Sequence, residues 1–391
     1  MADRTPFETP KMLPRTRRQF LQAAGLAGLV GVGAAAGATF TATPAAAEPA
    51  RLADAPVKTR ATYYTPEKIA AARANIETYP WARELADNAR PLADRMAALS
   101  DDQLWNCVST QGVPRSYAVN QDLGSPITGT DIYDYGAYPW LADPIERPWK
   151  IVDPSSDYVF PTNDFASYYA SGLDEHGNFN RDLADPQFLV NELYPERGPD
   201  WGVDDGFGWI DEDGHKWTFI AYYNHWFLWY SAQAGTGYSL LGQGLIALRD
   251  SFVYTGDPKY AHAGLILLDR VADAYPDMDT APYKREDGYF HSDGLRGTGK
   301  VIGGIWETGL ARNMVQAYDA FYPAIAEDDS AGVVDFLRSK SEQYGLNPKT
   351  SPADIRLNIE NGVLRQIYPA VKTTQIFGNF GMHQSTLAMA A

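Results

Sequence analysis

Phe377-Gly378-Asn379-Phe380-Gly381-Met382-His383-Gln384-Ser385 places an amide four residues before an imidazole. If a helix begins by Asn379, the two side chains share a face. An amide beside an imidazole can hold a carboxylate while a proton moves. Spacing alone favours plainer readings, with Asn379 as a helix cap and His383 as a hydrogen-bonded core histidine. A second imidazole, His225, follows Asn224 within Tyr222-Tyr223-Asn224-His225-Trp226. With Phe219, Phe227, Trp229 and Tyr230 close by, core packing accounts for most of this stretch. Asn224 and His225 are its polar exceptions and can line a cleft; a satisfied core histidine is equally open for His225. His176 and His291 sit in loop sequence without a second histidine at ligand spacing, which argues against zinc. The single Cys107 rules out an intramolecular disulfide and reads as a small buried residue.

These residues need elements to position them. Thr65-Pro66-Glu67 has the order of a helix start: a capping hydroxyl, Pro at the first position and an acid in the first turn. The helical pattern continues to about Leu99, with breaks or kinks expected near Pro80 and Pro91. Residues 100–215 are rich in Pro, Gly, Asp and aromatics, and their periodicity is poor. They read as ordered loops and short helices walling a cleft. From Lys216 the pattern is regular. Tyr238, Leu241, Leu245, Leu248 and Phe252 mark one amphipathic helix, and Leu265, Leu268, Ala272 and Tyr275 its partner. Gly256-Asp257-Pro258 between them ends one helix and caps the next, which forces an antiparallel pair. Trp306, Leu310, Met314, Ala317 and Phe321 predict a further helix, and Ile355, Ile359, Val363 and Ile367 another. No β alternation or close repeat stands out. The fold class expected is all-α: an incomplete α/α toroid of antiparallel helix hairpins with long aromatic loops, an irregular helical bundle being the alternative. Gly381–Ala391 reads as a helix just begun, which suggests that the chain continues.

The Gly378–Gln384 motif, following serial helix pairs, resembles the active-site helix of heparinase II/III-like polysaccharide lyases. Ile305-Trp306-Glu307-Thr308-Gly309-Leu310-Ala311-Arg312-Asn313, Tyr222–Trp226 and the Gly256-Asp257-Pro258 hairpin resemble that family too, and the likeness runs loosely over residues 60–391. The resemblance implies a helical toroid followed by a large β-sheet domain beyond Ala391, where a structural metal has room. It implies β-elimination at a uronic acid. Neutralising the uronate carboxylate stabilises an enolate-like intermediate, a base removes the adjacent proton, and an acid protonates the departing oxygen. On this resemblance Asn379 binds the carboxylate and His383 neutralises it or acts as base. Tyr223, Asn224, His225, Trp306, Glu307 and Arg312 would contact substrate. From composition alone, Glu307 and Arg312 read as a solvated helix face. The family's catalytic tyrosine falls past Ala391, and some members carry Asn and His side by side rather than four apart.

The ends and the charge set the setting. Thr16-Arg17-Arg18-Gln19-Phe20-Leu21, an Ala/Gly-rich apolar stretch to Ala42 and Pro44-Ala45-Ala46-Ala47 form a twin-arginine secretory leader. Residues 1–47 are therefore the leader, 48–59 a linker and 60–391 the catalytic domain. After export and leader removal the expected location is periplasmic or extracellular, without stable membrane insertion. The whole chain carries a formal charge of −16, and the leader's five basic and two acidic residues leave about −19 on the remainder. That balance excludes a nucleic-acid partner, which needs a basic footprint. An acidic polysaccharide must instead meet a locally positive or hydrogen-bonding cleft. The 24 Tyr and 10 Trp suit sugar faces as well as a large core. Two other functions compete. An α/α-barrel glycoside hydrolase needs two flanking carboxyl groups, for which Asp204, Asp205, Asp211, Asp213, Asp287, Asp293 and Glu307 are candidates. The other is a non-catalytic glycan-binding domain.

Overall fold

The Thr65 hydroxyl accepts the Lys68 N–H at 3.4 Å, and Pro66 opens helix α1 (Pro66–Thr78). Here and below, a computed structural model describes residues 57–115, 118–223, 225–226, 237–283 and 298–391. The leader lies outside the described residues, as do Asn224, Asp287, His291 and Asp293. Tyr79 is extended and Pro80 starts α2 (Pro80–Ala97), so the expected break at Pro80 is present. At Pro91 the helix runs on without a break. Ala82, Ala86, Ala93 and Met96 are buried along it, and this packing outweighs the one hydrogen bond that proline removes. Ser100 and Gln103 form a reciprocal capping box at the start of α3 (Asp101–Asn106).

Between α3 and residue 216 the chain makes short pieces, as its composition implies. They include α4 (Phe165–Ser171) and two small antiparallel ladders that the alternation did not reveal. In one, β1 (Ile151–Val152) pairs with β2 (Val159–Phe160); in the other, β3 (Trp209–Ile210) pairs with β4 (Lys216–Trp217). Two-residue strands are too short to show a period. Their side chains, with those of α5 (Phe219–Tyr223), build a core of their own around Trp140, Trp149, Phe160, Phe165, Tyr169 and Phe219.

The regular half follows its sequence in the main, but the helix expected from Tyr238 starts later. Tyr238 precedes it, and Leu241 lies in a π turn, Leu240–Gly244, whose wider coil takes the chain into the α-helix. Helix α6 (Leu245–Thr255) ends at Gly256, whose φ of 75° suits a residue without Cβ. Asp257 caps α7 (Pro258–Ala274), and the two-residue link folds α7 back along α6. Helices α8 (Trp306–Phe321), α9 (Val334–Gln343), α10 (Pro352–Ile359), α11 (Arg365–Lys372) and α12 (Met382–Ala390) follow. Ile355, Ile359, Val363 and Ile367 are all fully buried. A strict spacing of four drifts about 40° per step around an ideal α-helix. The wider π turn at Glu360–Leu364 takes up that drift and keeps all four on one side. Gly362 in this turn lies so close to α7 that a Cβ there would overlap the Ala272 carbonyl. The helices share a mainly aliphatic core, with Trp105, Trp226 and Phe321 in it, separate from the aromatic one. The described chain is thus mostly helical with very little sheet.

Carboxylates from this helical half tie down the segment before α1. Asp319 accepts the backbone N–H groups of Thr62, Tyr63 and Tyr64 at 2.7–2.9 Å and pairs with Lys58 Nζ at 2.6 Å. Glu360 accepts the Lys58 N–H at 3.3 Å.

Candidate functional site

A cleft of about 430 Å³ opens where α3, the Pro144–Trp149 loop, α4, His225 and α9 meet. Its rings come from Trp149, Tyr169, His225 and Tyr344, and its amides from Gln103 and Asn106. Lys340 is the single charged side chain among its described lining residues, and no carboxylate lines it.

The imidazole of His225 is set from two sides. Cys107, at the end of α3, presents its carbonyl to Nδ1 at 2.9 Å. A carbonyl only accepts, so the proton is on Nδ1 and Nε2 is left as a bare acceptor. Trp149 stacks on the same ring with centroids 4.2 Å apart. Burial pushes the His225 pKa down to about 3, against a smaller upward pull from the Cys107 carbonyl, so the ring is neutral at ordinary pH. Among the described residues, Nε2 has no hydrogen-bond partner. A buried acceptor left unpaired is costly.

Trp149 is unusual in its backbone as well. Its φ is 61°, the left-handed region that a bulky residue avoids. The ring holds it there by packing on Phe165, Tyr169 and Tyr223 as well as His225. Strain of this kind gathers where a side chain must be presented in one direction. Tyr169 is fixed in turn, its hydroxyl accepting the Thr110 N–H at 3.2 Å. Tyr223 is buried in the wall behind the cleft, its hydroxyl 3.4 Å from the Pro144 carbonyl, and does not line the opening. As the sequence indicates, Cys107 is a buried free thiol, its pKa pushed up to about 12 by burial.

The remaining predicted residues gather at α8 and α12, and none of them lines the cleft. Helix α12 begins only at Met382, so Asn379 precedes it and does not share a helix face with His383. Nor does Asn379 cap the helix. Gly381 takes that place with φ 89°, its N–H satisfied by the Gln384 side chain at 2.9 Å. The glycine's freedom at positive φ delays the helix past the Asn. Asn379 is exposed, next to a fully exposed Phe380. His383 is half-buried, and its Nδ1 has no partner among the described residues. One turn later Thr386 donates to the Thr308 carbonyl of α8 at 3.2 Å, and Arg312 reaches the Ser385 hydroxyl at 3.3 Å. Trp306 is 41% exposed at the start of α8.

Glu307 is not on a solvated helix face. It is fully buried, and one carboxylate oxygen accepts the N–H groups of Val301, Ile302 and Gly303 at 2.6–2.9 Å. Burial raises its pKa, opposed by those three donors and by Arg115. Glu307 therefore clasps the glycine-rich turn ahead of α8.

No family model, curated protein or solved structure matches this chain. The site stands on its own residues. The loop carboxylates serve structure. Asp204, buried and pushed up to about 6 mainly by desolvation, accepts the N–H groups of Gly206, Gly208 and Ile220. Asp205 pairs with Arg181, and Asp211 takes the Trp217 indole N–H at 2.9 Å. No described group of three His, Cys, Asp or Glu is placed to hold a metal, and no described helix is long and apolar enough to cross a membrane. Sequence reasoning missed Trp149, Tyr169, Lys340 and Tyr344. Lys340 and Tyr344 are one turn apart at the end of α9, but Trp149 and Tyr169 come from distant segments, and no local spacing links those to α9.

Proposed function

We propose that this chain is a polysaccharide lyase that opens a uronic-acid-containing polysaccharide by β-elimination, on an exported α/α toroid. The observation that carries the reading is His225, a neutral imidazole bordering an aromatic cleft, whose Nε2 is buried and unpaired among the described residues and would have to be uncovered for substrate to reach it. In this reading Nε2 takes the proton on the carbon beside the uronate carboxylate. The C–H electron pair becomes the new ring double bond, and the bond to the glycosidic oxygen breaks. The same burial makes the ring a weak base, so the bound uronate carboxylate must first raise its basicity; the resulting imidazolium then hands its proton to the departing oxygen and returns to neutral. Tyr344, only partly buried, offers ring surface for the sugar, while the buried Trp149 holds the His225 ring in place. A glycoside hydrolase is less well supported, because the described lining of the cleft holds no carboxylate, whereas that reaction needs two. His383, with Asn379 the pair of the Gly378–Gln384 motif, is the competing centre favoured by resemblance, and Arg312 reaches Ser385 on the same helix as His383.

The test is ultraviolet absorbance of the unsaturated uronate product, with alginate, polygalacturonate, ulvan and heparin-like chains as substrates. His225→Gln should lower kcat by about 10²–10⁴-fold with its circular dichroism unchanged. Retained activity in His225→Gln with loss in His383→Ala would move the chemistry to α8 and α12. Absence of unsaturated product from every polyuronate would end the lyase reading.

A further inference from the structure

Lys340 adds a charge to the cleft that the elimination chemistry above does not use. The residue is nearly buried, 8% exposed, and its ammonium lies over the rings of Trp105, Phe336 and Tyr344 at 5.0–5.7 Å. Trp105 and Tyr344 stack on each other at 4.9 Å, so the cation rests on a fixed aromatic floor. Its one ion-pair partner among the described residues is Asp102 at 2.7 Å, and the Asp102 side chain is 70% exposed. The two ends of this pair are unequal. The lysine is held at the cleft wall, while the aspartate stands mostly in water and can return to it at little cost. Every other described lining residue is uncharged.

We infer that Lys340 reads the carboxylate of an acidic sugar and that Asp102 is the counter-ion which that carboxylate displaces. The inference takes its substrate class from the proposed elimination, but it concerns binding and does not depend on turnover. A chain of charge −16 repels a polyanion at long range. Selection for an acidic ring must therefore come from a local cation with aromatic surface beside it, and Lys340 supplies both. Because Asp102 competes with the ligand for the same ammonium, removing the aspartate's charge should strengthen binding. A purely structural ion pair predicts no such gain.

The experiment is fluorescence titration of the chain with short galacturonate, glucuronate and mannuronate oligosaccharides, each beside its neutral methyl ester. The wild-type chain should bind at least one acid about tenfold or more tightly than its ester. Lys340→Gln should abolish that preference and Lys340→Arg retain much of it. Asp102→Asn should tighten the acid severalfold and leave the ester unchanged. Equal binding of acid and ester, binding of no acid, or an undiminished preference in Lys340→Gln would each overturn the inference. If Lys340→Gln does not fold, Asp102→Asn still decides: no tightening of the acid rejects the displaced counter-ion. These titrations stand apart from the product assay, so elimination and carboxylate reading can fail separately.

Discussion

His225 is held in one protonation state as firmly as it is held in one place. In the unfolded chain its pKa returns to the ordinary histidine value, about 6.5. In the folded chain burial keeps it near 3. Between those values the unfolded state binds a proton that the folded state refuses. Stability from this group is therefore complete above about pH 6.5 and falls as the pH is lowered toward 3. The slope is about 1.4 kcal/mol per pH unit. Asp204 acts in the opposite sense, since its raised pKa costs stability as the pH rises. The difference between wild type and His225→Gln isolates the histidine. Urea unfolding from about pH 4 to pH 7 should give a wild-type stability that climbs with pH more steeply than the variant's. Parallel curves would mean that the imidazole is already accessible to protons in the folded chain.

Among the elements, the entry to α8 and the entry to α12 behave differently under mutation. Glu307→Ala strips the acceptor from three backbone N–H groups at once. The expected loss is about 3–5 kcal/mol, read as a shift in the urea midpoint. Asn379→Ala touches an exposed residue ahead of a glycine cap and should stay within about 0.5 kcal/mol. A loss near 1 kcal/mol would restore Asn379 as a cap. The sequence revealed what local chemistry decides. Thr65-Pro66 and Gly256-Asp257-Pro258 each work within a turn, and each step of the buried Ile355–Ile367 row spans about one turn. It misplaced what depends on a distant partner or on one flexible residue. Glu307 looks like a surface acid until the Gly299–Gly304 turn folds over it. The pairing of Asn379 with His383 assumed a helix that Gly381 starts three residues later. The cleft drew His225 from an aromatic run and Lys340 from α9, 115 positions along, and no periodicity spans that distance.

The described residues form two cores, one aromatic and one mainly aliphatic, and the cleft lies along their seam. Trp149 and Tyr169 belong to the first, Cys107 and Leu240 to the second. Ligand sites favour such junctions because neither side is packed to closure. The tether formed by Asp319 has a further consequence, which concerns reach. Lys58 is the first described residue hydrogen-bonded to the body. If the leader is cut after Ala47, as its sequence implies, ten residues separate the cut from that anchor. Ten residues span at most about 35 Å, however they are arranged. A passenger exported already folded must offer its scissile bond to a membrane-bound peptidase, and this span is the whole leash available. Deleting residues 49–56 should leave the body's melting temperature unchanged yet slow leader removal, seen as precursor accumulating on an immunoblot. Normal processing of the shortened chain would show that the peptidase reaches past the leash, or that Lys58 lets go before the cut.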